Sequence, residues 1–324
     1  MTRHLRKLQK RFTIPLRPDA DGYIGRECPE AECRKYFKIV NGTGLKNATE
    51  CHCPYCGHTG DQGDFHTQAQ VQFATSIVER AVQRAVTRDL QDMARDFNRR
   101  SSAGFLSIKM GVKSSPLPLR RYSERQLETH IECPNCTLKY AVYGVFAFCP
   151  DCRQHNSLYM LGKNLDVVGK MLDMAASADV EIAGKLVENA LEDCVAAFDA
   201  FGRELCRVNA NKASLPAKAD KISFQNLEGA KRNVDDLFGF DISAGLTKDE
   251  WQSVVRSLQK RHLFVHRMGV VDEEYVKKTG DAQAVVGHKI SLTGHEVGSA
   301  VQIVRKLAQY IAEKLAALPE DGTR

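Results

Sequence analysis

Apolar side chains recur at helical spacing in a long segment in the first third of the chain, at about residues 67–100. The positions that form this stripe are Val71, Phe73, Ile77, Val78, Ala81, Val82, Val86 and Leu90. Arginines occupy much of the remaining face, so the pattern predicts a basic amphipathic helix. Its simplest role is to pack on a neighbouring module, and the alternative is a basic surface that contacts phosphates. The segment that follows, 104–122, predicts a strand and then a proline-broken linker.

The same periodicity dominates the chain from about residue 161 onward. A long amphipathic helix is predicted over 180–211, and its apolar positions include Ile182, Leu186, Ala190, Val195 and Phe198. A shorter helix is predicted over 224–239. Cys194 and Cys206 have no second cysteine at C-x-x-C spacing, and we expect them to pack as small hydrophobic side chains.

Two capping-box sequences mark the start of the last two long helices. Thr247 with Glu250, and Thr293 with Glu296, have the spacing that satisfies the first backbone N–H groups of a helix. The first of these helices is predicted to run to Gly269, where a glycine permits a left-handed stop. The connection between them predicts a short helix that begins in DEEY and a strand-like segment in VVGHKISL. Four or five helices with short connections predict a helical bundle.

Four cysteines between residues 133 and 152 form the clearest motif in the chain. They are arranged as two C-x-x-C pairs, Cys133 with Cys136 and Cys149 with Cys152. A C-x-x-C turn places two thiolates on one side of a tight loop, and two such turns complete a tetrahedral zinc shell. Because four thiolates leave no open position for water, we expect this zinc to be structural. The intervening LKYAVYGVFAF predicts a short hairpin.

A second four-cysteine motif lies upstream. Its candidate ligands are Cys28, Cys33, Cys53 and Cys56. The first pair is spaced C-x4-C, and the second is C-x-x-C followed by glycine. Cys51 and His52 are near enough to compete as ligands, so the choice between Cys51 and Cys53 stays open. We favour Cys53 because CPYCG repeats the turn chemistry of CPNC and CPDC. We therefore expect two structural zinc ions per chain and no catalytic metal.

Charge and cysteine usage narrow the class of protein. The chain of 324 residues has a formal net charge of +6, and its opening MTRHLRKLQKR contains no acid. This balance favours an anionic partner, most simply nucleic acid. No run approaches the roughly 18–20 apolar residues of a membrane span, and no signal-peptide pattern follows the basic opening. We expect a cytoplasmic protein without a membrane partner, and in a reducing compartment paired cysteines indicate metal rather than disulfides.

Together these patterns predict a mainly α protein. A C-terminal helical bundle at 161–324 is preceded by two small β zinc-ribbon modules, at 1–65 and 116–160. The first module carries the basic N-terminal arm, and a basic helix with its linker at 66–115 connects the two modules. Zinc ribbons are binding modules by default, because the metal folds segments that cannot bury a core alone.

The helix predicted over 247–269 ends in a polar set within its apolar stripe. At about 100° per residue, the core stripe around Leu258 contains Trp251, Val254 and Val265. His262 falls inside this stripe, whereas Arg261 and His266 flank it about 140° apart. Burying an unpaired arginine is costly, so we expect this end of the helix to face a partner or a polar cleft. A two-fold pairing of two chains would bring both copies of this set into one groove.

The same residues carry a resemblance to a known family. RHLFVH resembles the R-x4-H motif of HEPN domains (higher eukaryotes and prokaryotes nucleotide-binding), many of which are RNA-cleaving toxins or defence nucleases. Arg261 and His266 match the motif, and His262 takes the position after the arginine where the family favours a polar residue. GVVDEEYVKKTGD and the terminal helix also look like HEPN proteins of this kind. The resemblance covers roughly residues 161–320 and leaves both ribbons outside.

The resemblance implies a metal-independent endoribonuclease, in the role of a toxin or an anti-phage defence effector. RNA carries its own nucleophile, the 2′-OH, so cleavage needs a base, an acid and charge stabilisation rather than a metal. In this interpretation His266 is the base or acid, Arg261 stabilises the phosphate, and His262 is a polar assistant. The implied partners are an RNA substrate, a second copy of the chain and a regulatory partner protein. The predicted product ends in a 2′,3′-cyclic phosphate.

Three other interpretations of this polar set stay open. In the first, Arg261, His262 and His266 simply cap and solvate the end of a helix. In the second, His262 and His266 form an i, i+4 pair suited to zinc, although the stretch lacks an H-E-x-x-H sequence and an acidic third ligand. In the third, the helical domain only dimerises, and the protein is a non-catalytic zinc-ribbon nucleic-acid-binding or scaffold protein.

Overall fold

The computed structural model describes residues 3–101 and 109–319. The chain forms two compact units, Met1–Gln154 and His155–Arg324. It is mainly helical, as the sequence predicts. The four segments drawn from the sequence are a finer division than these two units, and that division stays a prediction. Among the described residues, every helix falls short of the length and apolar character that a membrane crossing requires.

The first unit contains two antiparallel sheets and one long helix. Its elements are α1 (Arg3–Arg6), β1 (Tyr23–Glu27), β2 (Tyr36–Val40), β3 (Glu50–His52), β4 (Thr59–Asp61), α2 (Gln68–Ser101), β5 (Thr129–Glu132) and β6 (Lys139–Val142). The strands of the larger sheet lie in the order β1-β2-β6-β5, whereas β3 and β4 form a separate pair. A 3₁₀ turn at Gln62–Phe65 leads from β4 to α2.

The two cysteine modules, which the sequence predicts as separate ribbons, share the larger sheet. Strand β2 of the upstream module pairs with β6 of the downstream module, where Ile39 lies opposite Tyr140. Both side chains are buried. The loops of the two modules are also hydrogen-bonded to each other, since the N–H of His52 donates to the carbonyl of Pro150 at 2.7 Å. Pairing between strands so far apart in sequence leaves no local signal, which is why periodicity alone does not reveal it.

The hairpin predicted within LKYAVYGVFAF is wrong. Strand β6 covers the first half of that sequence, and it pairs with β5, which precedes the cysteine turn, with Ile131 opposite Tyr140. The second half bends at Gly144, whose φ of 76° is left-handed. The cysteine turn itself therefore supplies the hairpin connection, and the central glycine ends the strand instead of reversing it.

Helix α2 confirms the helix predicted at about 67–100, but its apolar stripe is only partly covered. Ala85 and Ala94 are buried, whereas Val71 and Leu90 are exposed. Periodicity identifies the helix without showing how much of its stripe a neighbouring element covers.

The segment predicted as a strand and a linker, 104–122, lies partly outside the described residues, which resume at Lys109. The described part contains no strand and runs along α2. There the N–H of Leu117 donates to Gln83 of α2 at 2.8 Å. A proline-containing chain that bonds to a helix side chain in this way needs no strand partner.

The second unit packs its helices around one apolar core. Its elements are α3 (Ser157–Ser177), α4 (Val180–Val208), α5 (Pro216–Ala219), α6 (Leu227–Phe238), α7 (Lys248–Arg267), α8 (Glu273–Thr279) and α9 (Gly294–Ala317). Short 3₁₀ turns lie at Ala210–Lys212 and Ile242–Gly245. Both predicted capping boxes are present, at the starts of α7 and α9. The long helices α3, α4, α7 and α9 bury their apolar faces together.

Most of the predicted helices are confirmed, and the misses have physical causes. Helix α3 is not among the predicted helices, and its glycines at 162 and 169 lower its intrinsic helix propensity. The strand-like VVGHKISL forms only a bridge between Val270 and Lys289. Cys194 and Cys206 are buried in the core, as expected, whereas Ile182 lies on an exposed turn of α4.

Helix α4 passes close to Phe224, and this packing leads to a testable prediction. A Cβ at Gly202 would overlap the Phe224 ring, whereas a Cβ at Gly184 on the same helix would meet nothing within 4 Å. We expect Gly202→Ala to destabilise the helical unit by about 1–3 kcal/mol through overpacking. Gly184→Ala should stabilise it by up to about 1 kcal/mol through helix propensity. Urea unfolding followed by circular dichroism measures both, and equal effects of the two changes would contradict this packing.

The largely buried carboxylate of Glu204 on α4 leads to a second testable prediction. Burial opposes ionisation of Glu204, but hydrogen bonds from Arg207 and His155 outweigh it and lower the pKa of Glu204 to about 2. A lowered pKa in the folded state adds stability above about pH 4.5 that is lost as the pH falls towards 2. Between pH 5 and 3 the wild type should lose about 1–3 kcal/mol more than Glu204→Gln does. Glu192→Gln, exposed on the same helix, is the control, and a Glu204→Gln protein with the acid sensitivity of the wild type would contradict this role.

Candidate functional site

Eight cysteines of the first unit lie in two compact four-thiol clusters. One cluster contains Cys28, Cys33, Cys53 and Cys56, and the other contains Cys133, Cys136, Cys149 and Cys152. Within each cluster the four sulfur atoms all lie within 4.8 Å of one another. The closest sulfur pairs are 3.7 and 3.8 Å apart in the first cluster and 3.6 and 3.5 Å apart in the second. Disulfide sulfurs are about 2.05 Å apart, whereas tetrahedral metal–sulfur bonds of about 2.3 Å separate sulfurs by about 3.8 Å. The clusters therefore have the spacing of four-thiolate metal centres.

Each C-x-x-C turn is closed by a residue in the left-handed conformation. These residues are Gly57, Thr137 and Arg153, with φ of 74°, 64° and 61°. Each directly follows the second cysteine of its pair, and its N–H donates to the carbonyl of the first cysteine at 2.9–3.1 Å. The tight reversal aims both sulfur atoms of a pair at one point, which is the local reason that this spacing suits a metal.

The longer C-x4-C spacing reaches the same geometry with two more residues. Arg34 follows Cys33 with a left-handed φ of 46°. Its N–H donates at 3.0 Å to the carbonyl of Glu30, which takes the place that the first cysteine has in the shorter turns. The C-x4-C segment therefore forms a turn of the same shape, and its two additional residues lie between Cys28 and this turn.

The structure places Cys51 and His52 outside the upstream cluster. Cys51 is buried on β3, and Cys53 rather than Cys51 joins the four-thiol group. The Nδ1 atom of His52 lies 2.8 Å from the hydroxyl of Thr59 on the paired strand β4. The strand ends at His52 and the turn begins at Cys53, so only Cys53 has the backbone direction that the cluster requires.

The electrostatics of the clusters favour a bound cation. Burial raises the pKa of the Cys28 and Cys136 thiols to about 12. Burial also raises the pKa of Cys53 and Cys149 well above the ordinary thiol value. Hydrogen bonds from backbone groups and neighbouring thiols outweigh burial at Cys56 and Cys152 and lower their pKa values. Metals bind thiolates, and a bound cation would stabilise the charge at the buried sulfurs. Because each cluster offers four sulfur ligands, a tetrahedral metal bound there would have no open position for substrate, and such sites are typically structural.

In the second unit the predicted polar set lies in the last two turns of α7. Arg261 is partly buried, and His262 and His266 are exposed. The two imidazole rings lie side by side, with centroids 4.7 Å apart. Arg261 donates from Nη1 to the side-chain oxygen of Gln225 at 3.4 Å. Its Nε atom is screened from solvent and has no hydrogen-bond partner among the described residues.

The predicted core stripe is correct for the first part of α7 and wrong for its end. Val254 and Leu258 are buried, as expected, but Val265 and His262 are exposed. Leu263 is buried instead, in a separate small cluster with Val271 and Tyr275. The helix leaves the main core before its last turns and packs on the chain that follows it, which a helical wheel drawn from one core cannot show. His262 therefore lies at the surface rather than in the core.

The surroundings of His262 disfavour its protonated form. Partial burial, the adjacent His266 and the ammonium group of Lys278 lower the pKa of His262 below its ordinary value. Among the residues that the structure describes, no third histidine, cysteine or carboxylate joins His262 and His266 in a metal-binding group. A neutral imidazole can accept a proton, so the exposed surface of α7 offers a base beside an arginine.

Two residues of this site have no signal in the sequence. Gln225 falls in the helix predicted over 224–239, but it precedes α6 in the structure and bonds to Arg261. Asp199 falls among the core positions of α4, where it is buried and accepts a hydrogen bond from Gln225 at 3.3 Å. Tertiary packing alone brings these two residues to Arg261.

Comparison with protein-family models, with curated proteins and with solved structures finds no match to this chain.

The cluster geometry predicts which cysteines control metal content. Cys51 and Cys53 are both buried and only two residues apart, but only Cys53 belongs to a four-thiol cluster. We expect elemental analysis to find about two metal ions per chain in the wild type and in Cys51→Ser, and about one in Cys53→Ser. A loss of metal in Cys51→Ser with none in Cys53→Ser would contradict the assignment of ligands.

Proposed function

We propose that the helical unit is a metal-independent endoribonuclease of HEPN type, with the role of a toxin or an anti-phage defence effector. The observation that carries this proposal lies in the last two turns of α7, which present the exposed imidazoles of His262 and His266, 4.7 Å apart, and the partly buried Arg261. The position of this set late on a helix, inside an all-helical unit, supports the motif resemblance. A cytoplasmic location accords with this role.

We further propose that both four-thiol centres hold zinc. Zinc prefers tetrahedral thiolate ligands and supplies folding energy to small modules, and the sulfur spacings fit its bond lengths. In this view the first unit is a recognition module for nucleic acid or a partner protein. The basic residues of the N-terminal arm and of α2 supply the charge that phosphates attract.

The proposed reaction uses the nucleophile that RNA carries. His266 removes the proton from a 2′-OH, and the 2′-oxygen forms a bond to phosphorus while the bond from phosphorus to the 5′-oxygen breaks. A proton from an imidazolium neutralises the leaving 5′-oxygen. Arg261 binds the non-bridging oxygens and stabilises the charge that builds on them. His262 assists as a polar neighbour, and the product carries a 2′,3′-cyclic phosphate.

A second copy of the chain would complete this site. Arg261 and His266 diverge by about 140° around α7, so one chain does not direct both side chains at one phosphate. Apolar side chains are exposed around the same end of the helix, among them Val265, Met268 and Val270. Exposed apolar groups that surround a polar set are typical of an interaction surface. A two-fold dimer through this surface would cover them and join two polar sets.

The alternative function is a non-catalytic nucleic-acid-binding or scaffold protein whose helical unit only dimerises. The closed four-thiol centres favour it, since they provide binding modules without catalytic chemistry. Both functions predict dimers and nucleic-acid binding. They differ in the consequence of removing the imidazole at position 266.

The decisive comparison is RNA cleavage by the wild type and by His266→Ala and Arg261→Ala. We expect each change to lower the cleavage rate at least about 100-fold, because general acid–base and charge stabilisation are each worth that much. Gel analysis of cellular RNA, incubated with a chelator that leaves the four-thiol centres loaded, measures the rate. His295→Ala and Arg232→Ala, both exposed on other helices of the same unit, are matched controls that should retain activity. A wild type that binds RNA but leaves it intact would establish the alternative function.

A further inference from the structure

Gln225 bridges a buried carboxylate and the guanidinium of Arg261. Its side-chain nitrogen Nε2 donates to Oδ2 of Asp199 at 3.3 Å. Its side-chain oxygen Oε1 accepts from Nη1 of Arg261 at 3.4 Å. An amide can satisfy both neighbours only in this one orientation, because a carboxylate accepts hydrogen bonds and a guanidinium donates them.

The carboxylate of Asp199 is surrounded by hydrogen-bond donors. It is buried on α4, and its Oδ1 atom accepts from the backbone N–H of Phe224 at 2.6 Å and from the hydroxyl of Ser223 at 3.0 Å. Its Oδ2 atom faces Gln225 and also lies 3.4 Å from Nε of Arg203 on the same helix. Every neighbour in this set is a donor, so the buried carboxylate stays an acceptor on both oxygens.

The backbone that carries Gln225 is held on both sides. Phe224 is fully buried and packs edge-on against Phe198, with ring centroids 5.6 Å apart. Asn226 caps α6 by accepting the N–H of Gly229 at 3.2 Å. A side chain between two such anchors starts from a fixed Cα position, and the amide of Gln225 therefore reaches Arg261 along a defined direction.

We propose that Gln225 is a positioning residue for Arg261, and that Asp199 fixes the direction of its amide. This inference rests on the proposed ribonuclease function. Gln225 holds one Nη1 N–H group of Arg261, and Nε of Arg261 is screened from solvent. The guanidinium plane is thereby fixed, and the other Nη N–H groups are the donors left for a phosphate. An arginine that is aimed before RNA binds loses less side-chain entropy when it engages the transition state.

The two side chains permit an exchange test that preserves net charge. In Asp199→Asn, Phe224 and Ser223 still require the oxygen, so the new NH₂ faces Gln225 and turns its amide around. The NH₂ group of Gln225 then faces the guanidinium of Arg261, and because both groups are donors the hydrogen bond between them is lost. The double change Asp199→Asn with Gln225→Glu restores the order, because the new NH₂ donates to the new carboxylate, whose other oxygen accepts from Arg261. We expect about a tenfold loss in kcat/KM for Asp199→Asn and for Gln225→Ala, and recovery to within about threefold in the double variant.

Two controls separate positioning from other effects. Arg203→Ala tests the ion pair that Asp199→Asn also weakens, and it should leave kcat/KM within about twofold. Because the double variant lacks that ion pair as well, its recovery cannot come from Arg203. Thermal unfolding of each variant shows whether the helical unit remains folded.

A spectroscopic readout distinguishes failure of this inference from failure of the ribonuclease function. The NMR resonance of the Arg261 Nε–H group, identified by its loss in Arg261→Lys, should move in Asp199→Asn and return in the double variant. If this pattern appears but the wild type cleaves no RNA, the positioning contact stands and the ribonuclease function fails. If the wild type cleaves RNA while Asp199→Asn and Gln225→Ala keep full activity, or if the double variant is no better than Asp199→Asn, the positioning role is overturned.

Discussion

An ion pair between α7 and α9 fixes the part of the molecule on which the proposed chemistry depends. The ammonium group of Lys260 is almost fully buried, and it lies 2.7 Å from Glu296 and 2.9 Å from the carbonyl of Ser291. A buried lysine is tolerated only with such partners, and removal of the Glu296 carboxylate leaves an uncompensated charge. Glu296 is also the glutamate that caps α9 at Thr293. One carboxylate thus holds the start of α9 and the last turns of α7 in register.

The residues next to Lys260 take their directions from this contact. Because Lys260 and Leu263 point inward, Arg261, His262 and His266 must lie towards the surface of the same two helical turns. The helix then stops at Met268 and Gly269, both in the left-handed conformation with φ of 54° and 81°. The polar set is therefore held on a rigid element with a defined end, and this is the arrangement that a catalytic or a binding surface requires.

The metal centres play the corresponding role in the first unit. Its strands are three to five residues long, and the β3–β4 pair has only two strands, which is marginal by itself. Three of the four cysteine pairs lie in turns between strands, and Cys149 with Cys152 follows β6. The larger sheet joins the two clusters through β2 and β6. A metal bound in either cluster would hold these turns together, so loss of either four-thiol cluster should loosen the first unit.

Sequence patterns predict those structural features that depend on residues close together in the chain. The capping boxes at Thr247 and Thr293, the long helices and the cysteine turns are all local, and the structure contains them. Contacts between distant segments leave no such trace. The pairing of β2 with β6, the exposure of Val265 and the bridge from Asp199 through Gln225 each depend on where another element lies. The sequence motif therefore indicates the candidate site, but it does not predict the contacts that support the site.

The chemical form of the RNA ends tests the central claim most directly. Mass spectrometry of a short RNA incubated with the full-length protein, in the presence of a chelator that leaves the buried centres loaded, identifies both ends of each fragment. A metal-independent attack by the 2′-OH predicts fragments with 2′,3′-cyclic phosphate and 5′-hydroxyl ends. Fragments with 5′-phosphate and 3′-hydroxyl ends that appear only when magnesium is added would contradict the account.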